Sequence, residues 1–271
     1  MSDLAILNQF EITIGKIIPG AQVKFKNESW LMKMIGFILS PFNPGFMTDY
    51  ITTIGYTVYF PTRQYYESAP EASFSILTHE FVHMWDRKQD SLFSLKYLFP
   101  QILLPIPLVL FTLFAFDAAW ILGLLPLAYV IGIAFSKRSR ASLIISLVAG
   151  SVASLAFGVL FAKWRILILL GCAVLAPWPA FWRSHYELRG YGMNMALQQW
   201  LYGTVAAMRD FNFFVSQFTT LEYYRMSWNP SSIRTALEKF RSQAESGELQ
   251  KSGPYEVVYQ FINSQNMVKT Q

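Results

Sequence analysis

Polar and apolar positions divide the chain into three blocks. Residues 1–96 mix the two kinds, residues 97–182 are almost continuously apolar, and residues 183–271 return to a mixed, largely helical pattern. The middle block splits into four runs, 98–116, 118–135, 142–162 and 166–182. Asp117 separates the first two, Lys137, Arg138 and Arg140 the next two, Lys163 and Arg165 the last two, and Arg183 closes the fourth. Each run holds 17 to 21 residues, near the ~20 that cross a hydrocarbon core. The pattern predicts a four-span transmembrane insert over 97–182 between an N-terminal half, 1–96, and a C-terminal half, 183–271.

Basic residues set the expected orientation. Arg87, Lys88 and Lys96 precede the first run, Arg183 and Arg189 follow the fourth, and the Lys137–Arg140 cluster lies between runs two and three. The positive-inside rule then places both halves, with both termini, on the cytoplasmic side of a multi-pass membrane protein. The apolar, basic start, with Lys16, Lys24 and Lys26 ahead of Trp30 to Leu39, suits either a membrane surface or a packed core.

Outside the apolar block the pattern predicts short elements. Residues 27–40 read as a helix with Asn27 as N-cap, 40–46 as a turn, and 50–61 as a strand rich in β-branched and aromatic residues. Helical patterning follows over about 73–88, 184–209 and 231–246.

Composition agrees with this division. The 271 residues are 53% hydrophobic and 14% charged, against about 25% charged in an ordinary soluble domain. A net charge of +5 suggests neither nucleic acid nor an acidic substrate. The single cysteine, Cys172, excludes a disulfide framework and a cysteine-ligated zinc. The first residues lack the pattern of a cleavable signal peptide.

The candidate chemistry lies in LTHEFVHMWD, residues 77–86, which holds two of the three histidines in the chain. On a helix His79 and His83 stand one turn apart on one face and present two imidazoles to one metal. Glu80 is about 100° round from His79 and reaches a water that the metal activates. It suits the role of general base and then acid. A catalytic zinc needs a third protein ligand and an open position. Asp86, on the same helix, suits a hydrogen bond to an imidazole better than ligation. Glu187 in HYELRGYGMNMA is the preferred third ligand, with His185 the alternative. Gly190 and Gly192 beside it permit close approach of the two helices. Tyr191, or Tyr223, Tyr224 and Arg225, are candidates to stabilise the oxyanion.

An H-E-x-x-H helix with a downstream glutamate on a second helix resembles the gluzincin metallopeptidases. The apolar runs beside it make the chain most similar to the integral-membrane group that includes HtpX and the CAAX prenyl proteases. Where that group usually carries Glu-x-x-Ala-Asp, this chain has Glu187, Leu188, Arg189, Gly190 and Tyr191.

The resemblance implies a mainly α, zincin-like domain with a short strand region, interrupted by about four transmembrane helices. It implies Zn2+ held by His79, His83 and Glu187, and peptide hydrolysis by Glu80, with Tyr191 assisting. The implied partners are a peptide or protein substrate and the lipid bilayer, with no nucleic acid. Residues 53–61 match by position the strand that takes an extended substrate as an added strand. The competing expectation is a catalytically silent membrane scaffold, which would have no use for Glu80. A di-iron hydroxylase would need more than three histidines.

Overall fold

A computed structural model of the chain describes residues 3–40, 44–98, 180–220 and 226–267. The described part is mainly helical with one three-stranded sheet. It begins with α1 (Asp3–Ile17), β1 (Gln22–Phe25), α2 (Trp30–Leu39), β2 (Thr52–Ile54), β3 (Thr57–Phe60), α3 (Arg63–Ser68), α4 (Pro70–Gln89) and α5 (Phe93–Leu98). It resumes with α6 (Phe181–Tyr202), α7 (Thr204–Arg209), α8 (Phe211–Thr219), α9 (Pro230–Glu245) and α10 (Gly253–Ser264).

The sheet order is β1-β3-β2, with β1 parallel and β2 antiparallel to β3. The single strand expected over 50–61 is a hairpin. Gly55 has φ +66°, a left-handed conformation that glycine adopts without penalty. With Tyr56 it makes a two-residue turn between β2 and β3. Glycine at the first central position is the mark of a type II′ turn, whose twist matches that of the strands.

Local sequence explains the helix boundaries. Ser29, not Asn27, caps α2 by accepting from the Met32 amide. Thr62 caps α3 by accepting from the Tyr65 amide at 3.0 Å. Pro70 starts α4, where its missing N–H costs nothing. Gly203, at φ +84°, ends α6 and divides the helix expected over 184–209.

The chain separates into two compact units. The first comprises Met1–Phe93, His185–Phe214 and Ser231–Gln271. Its core joins α1, α4, α6 and α10 through Phe10, Phe74, Phe81, Met193, Trp200 and Phe261. The Phe10 ring meets Phe74 at 5.0 Å and Phe261 at 4.9 Å. Such pairs add about 0.5–1.5 kcal/mol each beyond the area they bury. Val58 and Phe60 turn toward this core, whereas Tyr59 packs with Met32 and Phe46 against α2 on the other side of the sheet. Lys26 is fully buried and donates to the Phe46 carbonyl at 2.5 Å. In the second unit, Ser94–Ser184 and Val215–Pro230, the Ala180 amide donates to the Met226 carbonyl at 3.2 Å. Lys96 lies over the Trp182 ring in the same unit.

The described helices do not form the expected membrane architecture. Among the described residues no helix is long and apolar enough to cross a membrane. Two helices have the length, α4 with 20 residues and α6 with 22. However, α4 carries Glu71, Glu80, Asp86, Arg87 and Lys88, and α6 carries Arg183, Glu187 and Arg189. The apolar α2 has only 10 residues. The four runs fall almost wholly on residues 99–179, outside the described residues. The fold class with about four transmembrane helices, the multi-pass membrane localisation and the cytoplasmic placement derived from it therefore do not stand.

Candidate metal centre

α4 and α6 build the site inside the first unit. His79 and His83 lie one turn apart on the buried face of α4, and Glu187 projects from α6. All three are at most 9% exposed. The two Nε2 atoms are 3.0 Å apart. Glu187 Oε2 stands 3.3 Å from His79 Nε2 and 3.7 Å from His83 Nε2. Two imidazoles and a carboxylate converging this closely could hold a metal ion.

Their charges interlock. Burial opposes ionisation of Glu187, but hydrogen bonds and positive charge from His79 and His83 outweigh it and hold the carboxyl well below its ordinary range. Burial likewise opposes protonation of His79. The bond and charge of Glu187, helped by Glu80 and Asn194, outweigh that and raise its pKa. The two shifts together favour an ionised carboxylate beside a protonated imidazole.

The close fit of α6 on α4 depends on Gly190. A Cβ at this position would lie 2.6 Å from Cε1 and Nε2 of His79, so any side chain would collide with the imidazole. Gly192 serves a different contact, since its Cβ would meet the Phe240 ring of α9 at 2.7 Å.

Asn194 orients the first imidazole. His79 Nδ1 and Asn194 Oδ1 are 2.8 Å apart. Asn194 Nδ2 donates to the Ser75 carbonyl at 3.1 Å and to Ser75 Oγ at 2.8 Å. The carbonyl accepts only, so it fixes which end of the amide faces it. Oδ1 is thereby turned to His79, which must donate from Nδ1–H. Nε2 is then the nitrogen that faces Glu187 and His83: it donates to the Glu187 carboxylate when protonated, and in the neutral ring its lone pair is the one a metal would take.

Glu80 points from α4 toward the sheet and is partly exposed. Its Oε2 accepts from Thr53 Oγ1 of β2 at 2.7 Å. Asp86 pairs with Arg189 Nη2 at 2.9 Å. Burial lifts the Asp86 carboxyl to about 6, against the lowering charges of Arg189 and His83. The side chain on an imidazole nitrogen is therefore Asn194, in the position where Asp86 was expected to act.

The remaining candidates separate clearly. The Tyr191 ring lies edge-on to His79 with centroids 4.7 Å apart, and packs on Phe214. His185 is exposed, lies against Tyr186, and takes no part in the cluster. Tyr223, Tyr224 and Arg225 lie outside the described residues. Reading the sequence missed Asn194 and Thr53. Glu187, Gly190 and Asn194 stand at i, i+3 and i+7 on one face of α6, a stripe that would have marked Asn194.

No protein-family model, curated protein or solved structure matches the chain.

Proposed function

We propose that the chain is a zinc metallopeptidase of gluzincin type that hydrolyses peptide bonds with Glu80 as general base. The observation that carries this reading is the spacing of the three ligand atoms. Two donors about 2.0–2.1 Å from zinc at a tetrahedral angle stand about 3.3 Å apart. The separations of 3.0, 3.3 and 3.7 Å bracket that value. Two nitrogens and one carboxylate oxygen are one of the donor sets of catalytic zinc sites, which keep a fourth position for water or substrate.

Zinc held there would supply Lewis acidity and make a water nucleophilic near neutral pH. The residues of the chain do the rest. Asn194 holds His79 in the ligating tautomer. Glu80, next to His79 and anchored on Thr53, takes the proton of the attacking water and returns it to the leaving amine. Tyr191, whose ring lies edge-on to His79, is the candidate to stabilise the oxyanion. A peptide substrate would lie along β2, which has β3 as its single neighbour among the described residues. β3 is the central strand and has no edge to offer, so residues 57–60 leave the expected substrate strand.

Metal analysis of the purified chain tests the reading. The expected result is about one zinc per chain and cleavage of labelled casein. Glu80→Gln should keep the metal and lose roughly 10²–10⁴-fold in kcat. A protein that neither contains nor takes up zinc refutes the proposal, as does a fully active Glu80→Gln enzyme.

A further inference from the structure

We infer that Thr53 is a positioning residue that joins occupancy of the β2 edge to the orientation of Glu80. The inference deepens the peptidase reading and rests on it. The register pairs Ile54 with Thr57, Thr53 with Val58 and Thr52 with Tyr59. A two-residue turn closes on a pair that exchanges both of its main-chain hydrogen bonds, and such pairs alternate along an antiparallel ladder. Ile54 and Thr52 therefore direct their amide and carbonyl groups at β3. Thr53, between them, directs its own at the edge away from β3, which no described strand covers.

The side chain of Thr53 has a separate task. Thr53 and Val58 are directly opposite and share a face of the sheet, and Val58 is in the core that includes α4. On that face the Thr53 hydroxyl meets Glu80 at 2.7 Å. This is the one side-chain hydrogen bond of Glu80 among the described residues. One residue thus offers an incoming strand its N–H and C=O and offers the base its hydroxyl.

The consequence is mechanical. β2 is three residues long and pairs with β3 alone among the described residues, so a strand added at its other edge would hold its backbone more firmly. An extended peptide bound to the Thr53 main chain fixes the Cα, and with it the hydroxyl. The Glu80 carboxylate is then held with Oε2 on Thr53 and Oε1 left for the proton it accepts. Without a strand on the edge the base is less well aimed. The site would therefore favour extended, unfolded polypeptide over short peptides that cannot reach along β2.

Thr53→Val keeps the β-branched shape and the backbone and removes the hydroxyl. With oxidised insulin B chain as substrate, the zinc-loaded variant should lose about tenfold in kcat, the worth of a hydrogen bond to a charged group. KM should stay within about twofold and zinc content unchanged, while Thr53→Ser restores kcat. Hydrogen exchange gives a readout apart from turnover. Adding the same peptide to zinc-loaded Glu80→Gln protein should slow exchange of the residue 53 amide, with or without Thr53→Val. Wild-type kcat in Thr53→Val overturns the inference. So does a Thr53→Ser enzyme as slow as Thr53→Val, or a residue 53 amide that exchanges equally fast with peptide present. A wild-type chain without zinc or without cleavage overturns the peptidase reading itself, and both then fall.

Discussion

Gly190→Ala is the sharpest perturbation of the metal centre, because helix propensity and packing predict opposite signs for it. In a helix interior alanine is favoured over glycine by about 1 kcal/mol. If the space beside Gly190 were open, the change would stabilise the protein. The structure instead puts the new Cβ 2.6 Å from two atoms of the His79 ring and 2.8 Å from a third. Relief to the 3.4 Å of ordinary contact needs a shift of about 0.8 Å. The ring has little freedom to move, since Asn194 holds Nδ1 and Tyr191 packs against it. Ligand distances at a metal centre tolerate about ±0.2 Å, so a displacement of that size removes His79 from the ligand set. Loss of a residue that only orients a ligand costs 10–100-fold in metal affinity, and loss of the ligand itself should cost at least about 100-fold. Overpacking should also lower stability by about 1–3 kcal/mol. The assay is zinc competition against a chromophoric chelator, with thermal melting of the metal-free protein alongside. Gly192→Ala is the control. It meets Phe240 at 2.7 Å and should lower stability while leaving zinc affinity within about twofold, because its contact is on α9 and not on a ligand. A Gly190→Ala protein that binds zinc like wild type, or melts higher, refutes the close approach of α6 to His79.

Asn194→Ala should reduce zinc affinity roughly 10- to 100-fold while the fold persists; equal affinity would show that the His79 tautomer is set elsewhere. The metal-free protein should have a pH window of maximal stability traceable to Glu187 and His79. The Glu187 carboxyl is depressed on folding. Its contribution is present above its ordinary 4.5 and lost as pH falls through the lower folded value. The His79 pKa is raised, so its contribution is present below 6.5 and lost as pH rises through the higher folded value. Chelator-treated wild type should therefore gain most over Glu187→Gln between about pH 4.5 and 6.5. A difference in melting temperature that is flat across that range and beyond it would refute the charge assignment.

The legible parts of the site were those whose chemistry forces a spacing. His79 and His83 must be four apart to share a face, and Glu80 is meaningful only beside them. Glu187 stood out as an acidic residue next to glycine in a helical pattern. Asn194 was not legible in the same way, since a neutral amide reads as an ordinary polar position until its partner is known. Ser75 and Asn194 are 119 residues apart in the chain, and no local pattern joins them. Thr53 was hidden by Gly55, which sits within a run of strand-forming residues. There it marks a turn, and one expected strand became two. The helices α1 and α10 were not read as separate elements, because their apolar positions are completed by residues distant in the chain, Phe74 and Phe81 of α4 among them. The apolar runs gave the strongest pattern of all and led to an architecture that no described helix supports. Hydropathy reports a preference for leaving water, which a bilayer and a protein core satisfy alike.

The arrangement concentrates control on one imidazole. Glu187, Gly190 and Asn194 occupy one stripe of α6, and all three act on His79. The first pairs with its Nε2, the second makes room for its ring, and the third selects its tautomer. His83 is held in another way, through the ring of Phe93, which in turn packs on Tyr186 at 4.6 Å. Three residue types with unrelated propensities on one helical face are hard to explain as packing alone. Packing would be met by any small or apolar set, and it would not place a charge, a missing side chain and an amide in register with a single ring. The register is the one that a metal ion at His79 would require of α6. It also orders the sensitivity of the centre. Substitutions along the 187–190–194 stripe should affect metal binding more than substitutions of equal size around His83, where apolar contacts can readjust.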